Sequence, residues 1–143
     1  MSTVEQAAGL AQPPAGSVVD EPRLILVIED DPDCRTELGL LLEEQGYRVL
    51  QAHDARSGLL LAELHHPDLI VQDLLLPDTH GFDLVTQLRR LPNGSRLAII
   101  ALSAFPDRLT EAQAAALGFN RCVRKPPVVN ELCDLIRSLL ERA

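Results

Sequence analysis

Lysine is nearly absent from this 143-residue chain: its thirteen basic residues are twelve arginines and one lysine, Lys125. With 21 acidic residues the formal net charge is −8. A sequence-independent grip on nucleic acid needs clustered Lys and Arg to displace counterions from phosphates, and the acidic balance argues against it. No uninterrupted apolar stretch approaches the roughly 20 residues that span a bilayer. The N-terminus, MSTVEQAAGLAQPPAG, lacks the basic region of a secretory signal and carries Glu5 and Gln6 early. The three cysteines, Cys34, Cys122 and Cys133, form no CxxC pair and no zinc-like spacing. They are expected to be reduced, mostly buried thiols of a cytoplasmic protein.

What is present is enough for one folded unit. The chain is 46% hydrophobic and 24% charged, which excludes disorder throughout, and its length suits a single domain. Residues 1–22 are rich in Ala, Gly, Pro, Gln and Ser and are expected to form a flexible tail or linker. Residues 23–143 carry the domain.

The apolar run Leu24-Ile25-Leu26-Val27-Ile28 has the pattern of a strand buried on both faces. It stops at Glu29-Asp30-Asp31-Pro32, where Asp31 suits an N-cap and Pro32 a first helical position. Leu38, Leu41 and Leu42 supply a helical stripe that Gly46 closes. The alternation then repeats: strand Tyr47–Leu50, helix Asp54–His65, strand Leu69–Val71, helix Phe82–Leu91, strand Leu97–Leu102, helix Asp107–Leu117, strand Arg121–Arg124 and helix Val128–Leu140. Five strand–helix units with no hairpin signal predict an α/β fold with a parallel sheet and helices on both faces.

In such a sheet, ligands bind beyond the carboxyl ends of the strands. The residues there are Glu29 and Asp30 after the first strand, Asp73 after the third, Ser103 after the fourth and Lys125 after the fifth. Three converging carboxylates repel one another unless a cation sits among them. Mg²⁺ prefers oxygen ligands and is usually held by one or two carboxylates plus substrate phosphate. A hydroxyl and an ammonium at the same edge suit the oxygens of a transferred phosphoryl group, with one carboxylate free to act as nucleophile.

The segments LILVIEDDPDCR, PDLIVQDLLLPDTHGFDL, IIALSAF and GFNRCVRKP, in this order, make residues 23–142 resemble a response-regulator receiver domain, similar to single-domain chemotaxis regulators and to the receivers of hybrid kinases. The resemblance implies a doubly wound, flavodoxin-like (βα)5 fold of strand order 2-1-3-4-5. It implies a signalling phosphoacceptor rather than an enzyme: Asp73 would take a phosphoryl group from a phosphohistidine in a Mg²⁺-dependent reaction. Asp30 would bind the metal directly, Glu29 through a water, and Asp73 with the Leu75 main-chain carbonyl would complete the protein's share. Ser103 would bind the phosphoryl group and Lys125 would pair with its oxygens. The implied partners are a histidine kinase or histidine phosphotransfer protein and a downstream protein, with no output domain, nucleic acid or membrane contact, as a monomer or weak homodimer.

Two departures stand out. Cys122 occupies the position, three before Lys125, that is usually aromatic in the family and rotates during switching. Leu75 and Phe105, apolar at positions that tune water access in the family, imply slow loss of the phosphoryl group. Rival readings are a pseudo-receiver that binds without phosphorylation, which the intact set of five site residues argues against, and an aspartyl-phosphate hydrolase, which would carry a second acid where Leu75 stands. A receiver excised from a larger hybrid kinase is also consistent with the tail. The simplest readings of the remaining polar motifs are a cationic helix C-terminus at Arg89-Arg90, a solvated helix end at His65-His66 and a plain loop residue at His80.

Overall fold

The computed structural model describes residues 21–104 and 110–141. The chain alternates strand and helix: β1 (Leu24–Ile28), α1 (Pro32–Glu44), β2 (Arg48–Ala52), α2 (Ala55–His65), β3 (Leu69–Asp73), α3 (Gly81–Arg89), β4 (Ala98–Ser103), α4 (Glu111–Leu117), β5 (Arg121–Arg124) and α5 (Val129–Glu141). All strand pairings among the described residues are parallel and the sheet order is β2-β1-β3-β4-β5. This is the doubly wound order 2-1-3-4-5 expected from the resemblance. No helix among the described residues is long and apolar enough to cross a membrane.

The three central strands, β1, β3 and β4, are buried along their whole length, which is why each reads as an uninterrupted apolar run. Alternate residues feed two cores. On one face Ile25, Val27, Leu69, Val71 and Ile100 pack against Leu38 and Leu42 of α1 and Leu132, Ile136 and Leu140 of α5. On the other, Leu26, Ile28, Ile70 and Ile99 meet α2, α3 and α4. The outer strands differ. β2 and β5 expose Arg48, Gln51, Arg121 and Arg124 and bury little.

Several expected boundaries move, each for a local reason. β2 runs Arg48–Ala52 rather than Tyr47–Leu50, because its register against β1 pairs Leu24 with Arg48 and Ile28 with Ala52. α1 opens as expected on an Asp31 cap, whose side chain accepts from the Cys34 amide at 2.9 Å. Its C-cap is Gln45, and Gly46 follows at φ +96°, a left-handed conformation that favours glycine. α3 begins one residue early at Gly81 and stops at Arg89, with Arg90 as C-cap. α4 starts at Glu111, not Asp107. Thr110 is extended and forms a reciprocal capping box, accepting from the Gln113 amide while the Gln113 side chain accepts from its own. α5 runs Val129–Glu141 in place of Val128–Leu140.

The cysteines are free, but only Cys133 is buried; Cys122 is half-buried and Cys34 lies exposed in the first turn of α1. Asp31 beside it pushes the Cys34 thiol up to about 11, so it stays protonated at neutral pH. The expected tail, apart from Glu21 and Pro22, lies outside the described residues, as do Phe105 and Asp107.

Arg89 is no plain helix end. Its guanidinium donates to the Gly118 carbonyl from Nε (2.8 Å) and Nη2 (2.6 Å), to the Gly94 carbonyl (2.7 Å), to the Leu97 carbonyl, and to Asn120 Oδ1 (2.9 Å). It thereby ties the end of α3 to the loops that lead into β4 and β5.

Candidate functional site

The carboxyl ends of β1, β3, β4 and β5 bring five polar side chains together. Glu29 directly follows β1, while Asp73 and Ser103 are the last residues of β3 and β4, not the residues after them. Glu29, Asp73 and Ser103 are buried, at 1%, 6% and 4% exposure. The backbone explains this placement: the Glu29 amide bonds to Ala52, Leu74 to Leu102, and the Lys125 amide to the Ser103 carbonyl at 2.8 Å. The sheet thus holds the polar ends in register where a neighbouring strand still shields them. The Lys125–Pro126 bond is cis.

Lys125 lies between two of the acids. Its Nζ stands 2.5 Å from Glu29 Oε1 and 2.8 Å from Asp73 Oδ2. The ammonium is the charged partner of this buried Glu29 oxygen. Burial would lower the pKa of the Lys125 ammonium, but the bonds to Asp73 and Glu29 outweigh it and hold the group above the ordinary lysine value. Burial pushes the Glu29 carboxyl up, while the Lys125 ammonium and the Asp31 amide pull it down. The other Glu29 oxygen, Oε2, accepts from the Asp31 amide at 3.1 Å.

Glu29, buried Asp73 and exposed Asp30 each offer a carboxylate oxygen, and these oxygens lie within 4.8 Å of one another. Three acids share one lysine, leaving an excess of negative charge in a partly desolvated corner. All-oxygen donors at this spacing fit a hard divalent cation such as Mg²⁺. A cavity of about 720 Å³ reaches Glu29 and Lys125 from between α1 and the start of α5, with Leu38, Leu41, Pro127 and Val129 among its walls.

The loop after β3, residues 74–80, completes the site. The Leu75 amide donates to Asp73 Oδ1 at 3.2 Å, and Leu75 forms an isolated bridge with His80. The loop closes where the Gly81 amide donates to the Leu74 carbonyl at 2.7 Å. A Cβ on Gly81 would lie 2.8 Å from the Leu74 Cα, so only glycine allows this approach. His80 caps α3, its Nδ1 accepting from the Phe82 amide at 3.1 Å.

All five expected side chains therefore meet at one edge, with the Leu75 backbone beside them. Sequence reasoning missed the supports around them: Gln72, fully buried, whose Nε2 donates to the Gly81 carbonyl at 3.2 Å, the His80 cap, and Asp78, which reaches across to α2. The pair Pro77-Asp78 signals a turn, but nothing local announces Asp78's distant partner. Cys122 pairs with Ala101 across the sheet and packs against the α2–α3–α4 core. Its amide donates to Glu111 Oε1 at 3.2 Å.

Comparison with known proteins gives a consistent result. The family model of the response regulator receiver domain matches residues 25–137. The chain is 39% identical over 113 residues to the uncharacterized 14.6 kDa protein in the sodA1 3′ region of Leptolyngbya boryana, covering 79% of this chain and 86% of that one. It is 38% identical to the transcriptional regulatory protein AfsQ1 of Streptomyces coelicolor over 118 residues, 82% of this chain and 51% of that protein. It therefore spans about half the length of such transcriptional regulators. Among solved structures, a CheY-like response regulator receiver domain from Methylobacillus flagellatus superposes with a TM-score of 0.75 at 27% identity, covering 82% of this chain and 98% of the other.

Proposed function

The chain belongs to the response regulator receiver domain family, and on that premise we propose that it accepts a phosphoryl group on Asp73 from a phosphohistidine and so switches partner binding. The observation that carries this reading is the position of Lys125 Nζ, between Glu29 Oε1 and Asp73 Oδ2, beside three carboxylates whose oxygens lie within 4.8 Å of one another. That corner has the charge and the donor atoms of a phosphoryl-transfer site.

In the proposed step a carboxylate oxygen of Asp73 forms a bond to phosphorus as the bond from phosphorus to the donor's imidazole nitrogen breaks. The departing nitrogen keeps the electron pair, and because the ring's other nitrogen carries a proton in the phosphohistidine the imidazole leaves neutral. Asp30, Asp73 and the Leu75 carbonyl would hold Mg²⁺ directly and Glu29 would hold it through a water; once bound, the ion offsets charge on the phosphoryl oxygens. Lys125 exchanges its Asp73 partner for those oxygens, a task that suits a compact ammonium on a flexible stem better than arginine's planar fork. Ser103 binds a further phosphoryl oxygen. The exposed Leu75 side chain offers incoming water no polar partner, which favours a long-lived acyl phosphate.

The donor would be a histidine kinase or histidine phosphotransfer protein whose imidazole enters between α1 and α5. Occupancy of Asp73 would bias a pre-existing equilibrium at the face of α4, β5 and α5, read by a downstream protein. With Cys122 in place of an aromatic ring, that bias runs through Ser103 and the segment after it. The setting is the cytoplasm, with residues 1–22 as a tail or linker, no direct nucleic-acid or membrane contact, and a monomer or weak homodimer.

The test is incubation with acetyl phosphate and Mg²⁺, followed by intact mass. The wild type and Asp83→Ala should gain one phosphate, and Asp73→Ala none. Absence of any adduct, together with no response to beryllofluoride, would overturn the reading in favour of phosphorylation-independent binding.

A further inference from the structure

The first N–H groups of a helix have no acceptor within it, and α2 satisfies them in an unusual way. Asp54, the local cap, accepts from the Ser57 amide at 2.8 Å. The amides of Ala55 and Arg56 donate instead to Asp78, at 2.8 Å to Oδ1 and 2.9 Å to Oδ2. Asp78 belongs to the loop that follows the Asp73 strand. One turn of helix thus carries two caps, one from its own flank and one from the phosphoacceptor loop.

That loop is pinned at its base and at its far end. At the base, the Leu74 amide donates to the Leu102 carbonyl of β4 and the Gly81 amide to Leu74, while Gln72 holds the Gly81 carbonyl. At the far end the two bonds to Asp78 are what fasten it to α2. Leu75, whose amide bonds to Asp73 and whose carbonyl the proposed function assigns to the cation, lies between these anchors. Only Leu76 and Pro77 separate it from Asp78, and the proline ring stiffens that link.

We propose that Asp78 is a positioning residue that couples the phosphoacceptor loop, and through it the cation site, to the first turn of α2. This rests on the reading that Asp73 and the Leu75 carbonyl share in holding Mg²⁺. Coupling between sites is reciprocal: Asp78 raises the affinity for Mg²⁺, and Mg²⁺ in turn protects the Ala55 and Arg56 amides. Coupling by this path needs no aromatic side chain at position 122.

A helix cap with no further role is the alternative, and Asp54 separates the two, because it caps the same turn without touching the loop. Loss of either cap costs about 1 kcal/mol, small against the roughly 5–15 kcal/mol of a typical domain, so both variants fold. The experiment is a calorimetric Mg²⁺ titration of the full chain, paired with amide exchange at Ala55 and Arg56 with and without Mg²⁺. Asp78→Ala should weaken Mg²⁺ binding about fivefold, the equivalent of one cap, and Asp54→Ala less than about twofold. Asp78→Asn, which keeps one acceptor oxygen, should fall between wild type and Asp78→Ala. In the wild type Mg²⁺ should slow exchange at Ala55 and Arg56, and Asp78→Ala should remove that response. Equal effects of Asp78→Ala and Asp54→Ala on Mg²⁺ affinity would overturn the coupling and leave the phosphoacceptor reading standing. A wild type that binds no Mg²⁺ and forms no adduct with acetyl phosphate would overturn both.

Discussion

The two ends of the sheet solve the same problem in opposite ways. At the amino end, Arg89 places a half-buried cation among neutral acceptors: the carbonyls of Gly94, Leu97 and Gly118 and the Asn120 side chain. Its charge is spread over oriented dipoles, and no acid is needed. At the carboxyl end, Glu29, Asp30 and Asp73 cluster, and one lysine meets two of them. The first arrangement is complete as it stands, whereas the second carries surplus negative charge. Neutral satisfaction and clustered charge are therefore placed at opposite ends of the same strands.

The contrast can be broken most severely at the amino end. Arg89→Met removes the guanidinium's bonds to three carbonyls and to Asn120 Oδ1, which keeps only the Ile99 amide, and should lower unfolding stability by about 3 kcal/mol. Urea melts should show the same loss with and without Mg²⁺, because nothing at that end responds to the ion. At the carboxyl end the response should reverse. Mg²⁺ at about a hundredfold its dissociation constant should raise wild-type stability by about 2.7 kcal/mol, and Asp30→Asn should remove most of that gain. The smallest effect sharpens the comparison, since Asp54 is an acid at the carboxyl end that neutral donors satisfy. The Ser57 hydroxyl and then its amide hold the Asp54 carboxyl below its ordinary value of 3.8. The unfolded chain then binds this proton more readily than the folded one, so the stabilisation is present above that ordinary value and fades as pH falls through the lower folded one. Asp54→Ala should cost about 1 kcal/mol at neutral pH, a difference that melts should show shrinking below about pH 4.

The central strands were readable because burial on both faces leaves no room for alternation, so β1, β3 and β4 announce themselves as apolar runs. β2 was misplaced because, at the edge, Arg48 and Gln51 face solvent and only pairing with β1 fixes its ends. The start of α4 was set by Thr110 and Gln113, a capping box that the apolar periodicity upstream obscured. Glu29, Asp30, Asp73, Ser103 and Lys125 were legible because parallel topology brings the strand ends together whatever the loops do. Asp78 was not, since its partners lie 22 and 23 residues away in sequence, and neither was Arg89, whose bonds to Gly118 and Asn120 span 29 and 31; no local pattern encodes such a meeting.

The outer strands, with arginines set along them, have a consequence beyond the site. An exposed strand edge offers unpaired backbone groups as a template for another chain, and charged side chains on it oppose that addition. Arg48 on one flank and Arg121 and Arg124 on the other place cations where an incoming strand of a second molecule would have to lie. A copy docking edge to edge would bring its own arginines against them. Charge on both flanks thus opposes growth of the five-stranded sheet by addition of a second copy.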